Sequence, residues 1–321
     1  MNKGLLLEIP YGTRDFLPKD AKVKREIESK LAKNFSLWGY DEIVTPTIEY
    51  VDTLTINNRS GIETHLFKFF DKNNKTVALR HEMTTPIARV AASRMSDDIL
   101  PYKLSYISNV YRYEQTQEGR QCEFYQAGVE LMGVAEALGD AEVIALAVDS
   151  LQKVGLKNFE VCIGQVDFIN GIMQQMGLSQ EKQLQIRQAL EQRNLVDLTN
   201  AVEDTKLPKQ AKEAFKIYSN VTGKEEVLEI ANNLALNEQS RKALDNLHDI
   251  YTLLKAYNLA DFVKFDLGVI RDFDYYTGII FSRLYFGSGE AIVNGGRYDN
   301  LLKSFGNPHR PSGFSDLSSI S

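Results

Sequence analysis

The chain has 321 residues, 43% hydrophobic and 25% charged, the composition of a globular protein with one large domain or two smaller ones. Its 37 Lys and Arg against 43 Asp and Glu leave a net charge of −6, which gives no global sign of the basic stripe that usually neutralises nucleic-acid phosphates, though a local patch is compatible with it. Two cysteines (Cys122, Cys162) outside any CxxC pair and four scattered histidines (His65, His81, His248, His309) offer no metal-ligand spacing, and no apolar run approaches the ~18 residues of a membrane span. The opening MNKGLLLEIP is too short an apolar stretch for a signal segment and is interrupted by Glu8. These features predict a soluble, cytosolic protein with no metal and no cofactor.

Residues 19–38 are expected to form an amphipathic helix, since Val23, Ile27, Leu31, Phe35 and Trp38 recur at helical spacing, with Asp20 as N-cap and Gly39 as the C′ residue. YDEIVTPTIEY (40–50) reads as a strand that Pro46 confines to an edge or an end. A strand at 76–80 leads into a helix from Thr84 to Met95, with Thr84 or Thr85 as the default cap. Residues 102–114 and 122–133 alternate in polarity and predict two long antiparallel strands joined by the loop 115–121. A helix over 137–154 and a strand over 158–165 follow. Between 178 and 260 there is one glycine and one proline among Leu, Ala, Glu, Gln and Lys, which predicts an all-helical insertion. Strand-like sequence resumes at 262–270, 275–286 and 290–296. The expected domains are therefore residues 1–177 plus 261–321 around one sheet, interrupted by the helical insertion 178–260.

Four segments carry candidate chemistry. Side chains two apart share a strand face, so Arg112 lies with Glu114, and Gln126 with Glu130, with the small Gly128 between them. Tyr125, Ala127, Val129 and Leu131 form the other, core-like face. A polar row of this kind either serves a ligand or is simply solvated, and periodicity does not choose. IRDFDYYTG (270–278) supplies Arg271, Tyr275 and Tyr276, suited to a carboxylate or a flat ring, or to an internal ion pair. RHEMT (80–84) places Glu82 and Thr84 at a strand-to-helix junction. NGGRYD (294–299) has paired glycines that permit close approach of backbone to a ligand, or only a tight turn. Nothing matches a P-loop, GxGxxG, GxSxG or Cys–His arrangement. Together, two carboxylates, two guanidiniums, an amide and several tyrosines suit a small zwitterion if these segments meet.

YGTRDFLP (11–18), VTPTIE (44–49), ALRHEMT (78–84), VYRYEQTQEGRQCEFYQAGVELMG (110–133), RDFDYYTG (271–278) and GGRYDNLL (295–302) resemble, in order, histidyl-tRNA synthetase and its paralogue, the regulatory subunit of ATP phosphoribosyltransferase. The matches span nearly all the chain outside the insertion. The resemblance implies an α+β, class II aminoacyl-tRNA synthetase-like fold, a mainly antiparallel sheet flanked by helices, dimerising near Pro46. It implies that Glu82, Thr84 and Gln126 hold a histidine α-amino group, that Glu130 and Tyr276 contact its imidazole, and that Arg271 contacts its carboxylate. Arg112 lies in the same pocket, lined also by Tyr275 and Tyr298, and Arg112 and Arg120 match phosphate-gripping arginines. Because extended geometry puts Tyr276 opposite Arg271, a bulge or turn is expected there.

The chain departs from the synthetase pattern in reading RPSGFSDLSSIS with no arginine after Arg310, hence no adenine clamp, and in carrying His81 where the synthetase has proline. No catalytic residue is expected. The implied role is the regulatory subunit of a short-form ATP phosphoribosyltransferase: a homodimer within a hetero-oligomer with the separate catalytic subunit, needed for its activity and for feedback by histidine as effector in the first step of histidine biosynthesis, without tRNA or membrane partners. The alternatives are a free-standing class II enzyme adenylating histidine or a related amino acid, and a histidine sensor for another partner.

Overall fold

The periodic segment after Leu17 folds as helix α1, Pro18–Leu37, in this computed structural model, which describes residues 7–56, 61–113, 121–175, 177–191, 194–203, 222–233, 237–268, 276–284 and 291–306, with 205, 212, 235 and 314–315. Two units are distinguished: residues 1–133, 149–156 and 300–321, and residues 134–148 and 157–299.

In the first unit, α1 starts on Pro18, whose fixed φ suits the first helical position. The expected Asp20 cap is corrected: Leu17 is the N-cap, without a side-chain bond, and Asp20 stands in the first turn, where its charge favours the helix dipole. The buried face is Glu28, Leu31, Asn34 and Phe35, while Val23 is 51% exposed. Of the expected stripe Leu31 and Phe35 are buried and Ile27 and Trp38 half-buried, and the helix is anchored by Asn34 Nδ2 donating to Ser150 Oγ at 3.0 Å and Trp38 Nε1 to Asp149 Oδ2 at 3.0 Å. Gly39 ends the helix as expected, at φ +80°, with the Tyr40 amide bonding back to the Phe35 carbonyl.

The stretch 40–50 is two strands rather than one. β1 (Asp41–Glu42) runs parallel to β5 (Tyr102–Tyr111), whereas β2 (Ile48–Tyr50) joins β3 (Lys68–Phe70) and β4 (Thr76–Leu79) in a small antiparallel sheet. Pro46, lacking an amide hydrogen, sits in the break. β6 (Glu123–Met132) pairs with β5 in register from Tyr102↔Met132 to Tyr111↔Glu123. The short strand Phe314–Ser315 flanks β6, opposite Leu131 and Glu130. Helix α3 is Thr84–Arg94, preceded by the short α2, Val51–Leu54, whose Leu54 packs with Leu66 and Ala78.

The second unit holds residues 137–148 of helix α4 (Ala137–Val154) and a sheet ordered β11-β10-β7-β9-β8. These are β7 (Val161–Gln165), β8 (Thr222–Gly223), β9 (Val263–Asp266), β10 (Ile279–Leu284) and β11 (Ala291–Arg297). β7 runs parallel to β9; the other pairs are antiparallel. Residues 178–260 carry helices α6 (Gln180–Glu191), α7 (Leu195–Glu203), α8 (Glu225–Asn232) and α9 (Glu238–Ala256), and also β8. Asn237 caps α9, its Oδ1 accepting from the Ser240 amide at 2.8 Å. Helix α5 (Val166–Gln175) meets α9 so closely that a Cβ on Gly171 would lie 2.4 Å from Ser240 Oγ.

Candidate functional site

The strand-to-helix junction of the first unit carries the densest set of buried polar groups anticipated from sequence. β4 ends at Leu79, and the Arg80 guanidinium is fixed by the carbonyls of Thr45 (2.8 Å) and Asn109 (2.9 Å). Burial pulls the Arg80 pKa below its ordinary value. His81 and Glu82 follow, and α3 opens two residues later. Neither Thr84 nor Thr85 is its cap. Met83 holds the N-cap position, and the Glu82 carboxylate accepts from the Thr85 amide at 2.9 and 3.2 Å. The short threonine hydroxyl is thus released for other work: Thr84 Oγ1 donates to Glu130 Oε1 at 2.8 Å.

Glu130 has no exposed surface, and Gln126, on the same face of β6, is 1% exposed. Of the hairpin's polar face, Gln126 and Glu130 are therefore buried rather than solvated, as are Ala127, Val129 and Leu131 on the other face, while Arg112 is half-buried. Arg112, just beyond β5, donates through Nε to the His81 carbonyl at 3.0 Å, with its guanidinium 5.1 Å from the Phe124 ring centroid. Burial pushes the Glu82 carboxyl up, opposed by its bonds to Thr85 and Thr84 and by Arg112. Burial, and then the neighbouring Arg112 charge, pull the His81 imidazole down to about 3, so it is neutral at physiological pH. The junction thus gathers Glu82, Thr84, Glu130 and Arg112, with Gln126 on the shared face, and adds His81, a group whose role the sequence did not suggest. A cavity of about 210 Å³ beside Phe35, Tyr40 and Tyr106 lies in the same unit but includes none of these residues.

In the second unit Tyr276 and Tyr298 are both buried. The paired glycines of NGGRYD lie inside β11 rather than in a turn, and they make room for protein: a Cβ on Gly296 would stand 2.6 Å from the Tyr276 ring. Arg271, Tyr275 and Arg120, the bulge expected near Tyr276 and Arg271, and Glu114 lie outside the described residues.

A second polar cluster was not foreseen. Arg297, at the end of β11, donates through Nε to Asp140 Oδ1 at 3.0 Å, and its Nη1 reaches the Val134 carbonyl (3.3 Å) and Asp299 (3.4 Å). Asn246 of α9 donates to Asp140 Oδ2 at 3.2 Å and accepts from Gln165 of β7 at 2.9 Å. Thr277 Oγ1 donates to Asp299 at 2.8 Å. Burial raises the Asp140 carboxyl to about 6 against the lowering effect of Arg297. Asp140 and Arg297 stand 157 positions apart, beyond any motif spacing. Among the described residues no group of three His, Cys, Asp or Glu could hold a metal, and no helix is long and apolar enough to cross a membrane.

The family model of histidyl-tRNA synthetase matches residues 12–318. The chain is 39% identical to the ATP phosphoribosyltransferase regulatory subunit of Moorella thermoacetica, over 98% of this chain and 81% of that one. It is 37% identical to that of Acetivibrio thermocellus, over 95% of this chain and 73% of that one. Among solved structures it is similar to an ATP phosphoribosyltransferase regulatory subunit/histidyl-tRNA synthetase from Bacillus halodurans, with a TM-score of 0.90, 36% identity, and coverage of 97% of this chain and 81% of that one. A histidine–tRNA ligase subunit from Alicyclobacillus acidocaldarius superposes with a TM-score of 0.81 at 26% identity, covering 97% and 94%. The expected class II synthetase-like α+β fold is borne out.

Proposed function

The chain belongs to the histidyl-tRNA synthetase family, on the branch of the ATP phosphoribosyltransferase regulatory subunits, and from that premise we propose that it activates a separate, short-form catalytic chain and makes it responsive to histidine. Its own role is regulatory and not catalytic. The assembly works in the cytoplasm, at the first step of histidine biosynthesis, as a homodimer of this chain combined with catalytic chains, without tRNA. In this reading residues 1–177 and 261–321 form the synthetase-like domain and 178–260 its insertion.

Histidine is the effector. Glu82, Thr84 and Gln126 receive its ammonium group, and Glu130 receives its imidazole, while Arg112 supplies the balancing positive charge. Arg271, Tyr275, Tyr276, Tyr298 and Arg120 keep the roles that the resemblance gives them. The observation that carries this assignment is the Glu130 carboxylate, without exposed surface and bonded to Thr84 Oγ1 beside a buried Glu82. A core gains little from two buried acids, whereas a cationic ligand group gains much. Histidine regulates by binding one arrangement of the complex better than another, and a coupling of ~1–3 kcal/mol is a normal allosteric magnitude.

The test is phosphoribosyl-ATP formation by a purified short-form catalytic chain. Activity that appears only when this protein is added, and falls as histidine rises, is the expected result. Equal activity with and without it overturns the reading.

A further inference from the structure

Among the described residues of the first unit, His81 is a buried titratable group whose chemistry is left open. It is 1% exposed, and its Nδ1 has no surface and no hydrogen-bond partner. Leaving such an atom unmet costs about as much as a lost hydrogen bond, so a native protein that keeps one has a use for it. Its surroundings say which use. The next residue is the buried Glu82, Glu82 and Glu130 are bracketed by Thr84 and Thr85, and Arg112 is held to the His81 carbonyl. Burial, and after it the positive charge of Arg112, disfavours a charge on the imidazole. A neutral imidazole carries a bare nitrogen, an acceptor with no net charge.

We propose that His81 is a ligand-binding residue that accepts, at Nδ1, a hydrogen bond from the ammonium group of a bound amino acid. The two carboxylates supply charge, and the imidazole supplies direction. An acceptor without charge adds a hydrogen bond while sparing the site a third buried acid. This rests on the histidine-binding reading above and adds a residue to it.

The probes are L-histidine and imidazole propionate, which lacks the amino group, with affinities measured by calorimetry on the full chain and on His81→Ala. The expected result is a 10- to 100-fold weaker affinity of the variant for histidine, and less than about a twofold change for imidazole propionate. In parallel, the imidazole nitrogen resonances of the wild-type protein report on His81 without any substitution, and Nδ1 is expected to shift on adding histidine. Unchanged histidine affinity in His81→Ala, an equal loss for both probes, or an Nδ1 resonance unmoved by saturating histidine overturns this inference and leaves the effector assignment standing. A wild-type chain that binds neither probe overturns both.

Discussion

The Asp140–Arg297 network of the second unit and the Glu82–Glu130 cluster of the first are both buried and both mix acid with base, yet they are wired differently. Around Arg297 the donors find acceptors in Asp140, Asp299 and backbone carbonyls, and Asn246 links Asp140 onward to Gln165. Four elements (α4, α9, β7 and β11) are tied by groups that satisfy one another. Around Glu130 and Glu82 two carboxylates are buried, and in the same segment as Glu82 the His81 imidazole has a nitrogen without a partner. A closed network holds a fold together; a cluster with capacity in reserve is built for something that arrives later.

This contrast is sharpest in stability. Arg297→Met strands the buried Asp140 carboxylate and is expected to destabilise the protein by about 3–5 kcal/mol in urea unfolding. A cost below about 1 kcal/mol would mean that the network is not closed in solution. Acid titration separates Asp140 from His81 by sign, while the raised Glu82 carboxyl follows Asp140. Asp140, raised to about 6, binds its proton more tightly in the folded state than in the unfolded one, facing Arg297, Asn246 and Asp299. Its contribution is full below about pH 4 and is lost, by about 2–3 kcal/mol, as pH rises through 6. Asp140→Asn should flatten that slope. His81, lowered to about 3 and facing Arg112 and Glu82, acts oppositely: its contribution is present above about pH 6.5 and is lost as pH falls.

Gly296→Ala, which drives a methyl group into the Tyr276 ring, is expected to cost about 1–3 kcal/mol in thermal unfolding. Glu130→Gln should move stability by less than about 1 kcal/mol, the smallest of these effects, while abolishing stabilisation by histidine and the histidine sensitivity of the assembled enzyme. If histidine still raises the melting temperature of Glu130→Gln as it does the wild type, the effector sits elsewhere.

Legibility from sequence followed the range of the forces involved. Helical spacing and the Gly39 stop place α1 within a residue of where it forms, and alternation places the β5–β6 hairpin, because both signals are local. The pattern did not mark β3, only three residues long with every side chain exposed, nor α5, which continues from β7 without a break, capped by the last strand residue, Gln165, rather than by a Ser, Thr, Asp or Asn. At the site, the residue types in RHEMT and on the hairpin suited a zwitterion, but their meeting depends on β4, α3, β5 and β6 coming together. That the Glu82 carboxylate would take the Thr85 amide, leaving the Thr84 hydroxyl to Glu130, depends on the tertiary placement of β6. The Asp140–Arg297 pair and the unmet nitrogen of His81 are tertiary facts with no local signature.

The tie between Gly12 and Cys122 gives the molecule a built-in timer. The Gly12 carbonyl accepts from the Cys122 and Glu123 amides, and the glycine, at φ +71°, leaves so little room that a Cβ there would sit 2.4 Å from the thiol sulfur. Cys122 is buried with Gly12 packed on it, whereas Cys162 is partly accessible. An alkylating reagent is expected to mark Cys162 promptly and Cys122 only after local opening around the Gly12 contact, so the delay between the two labels measures how often the start of β6 opens.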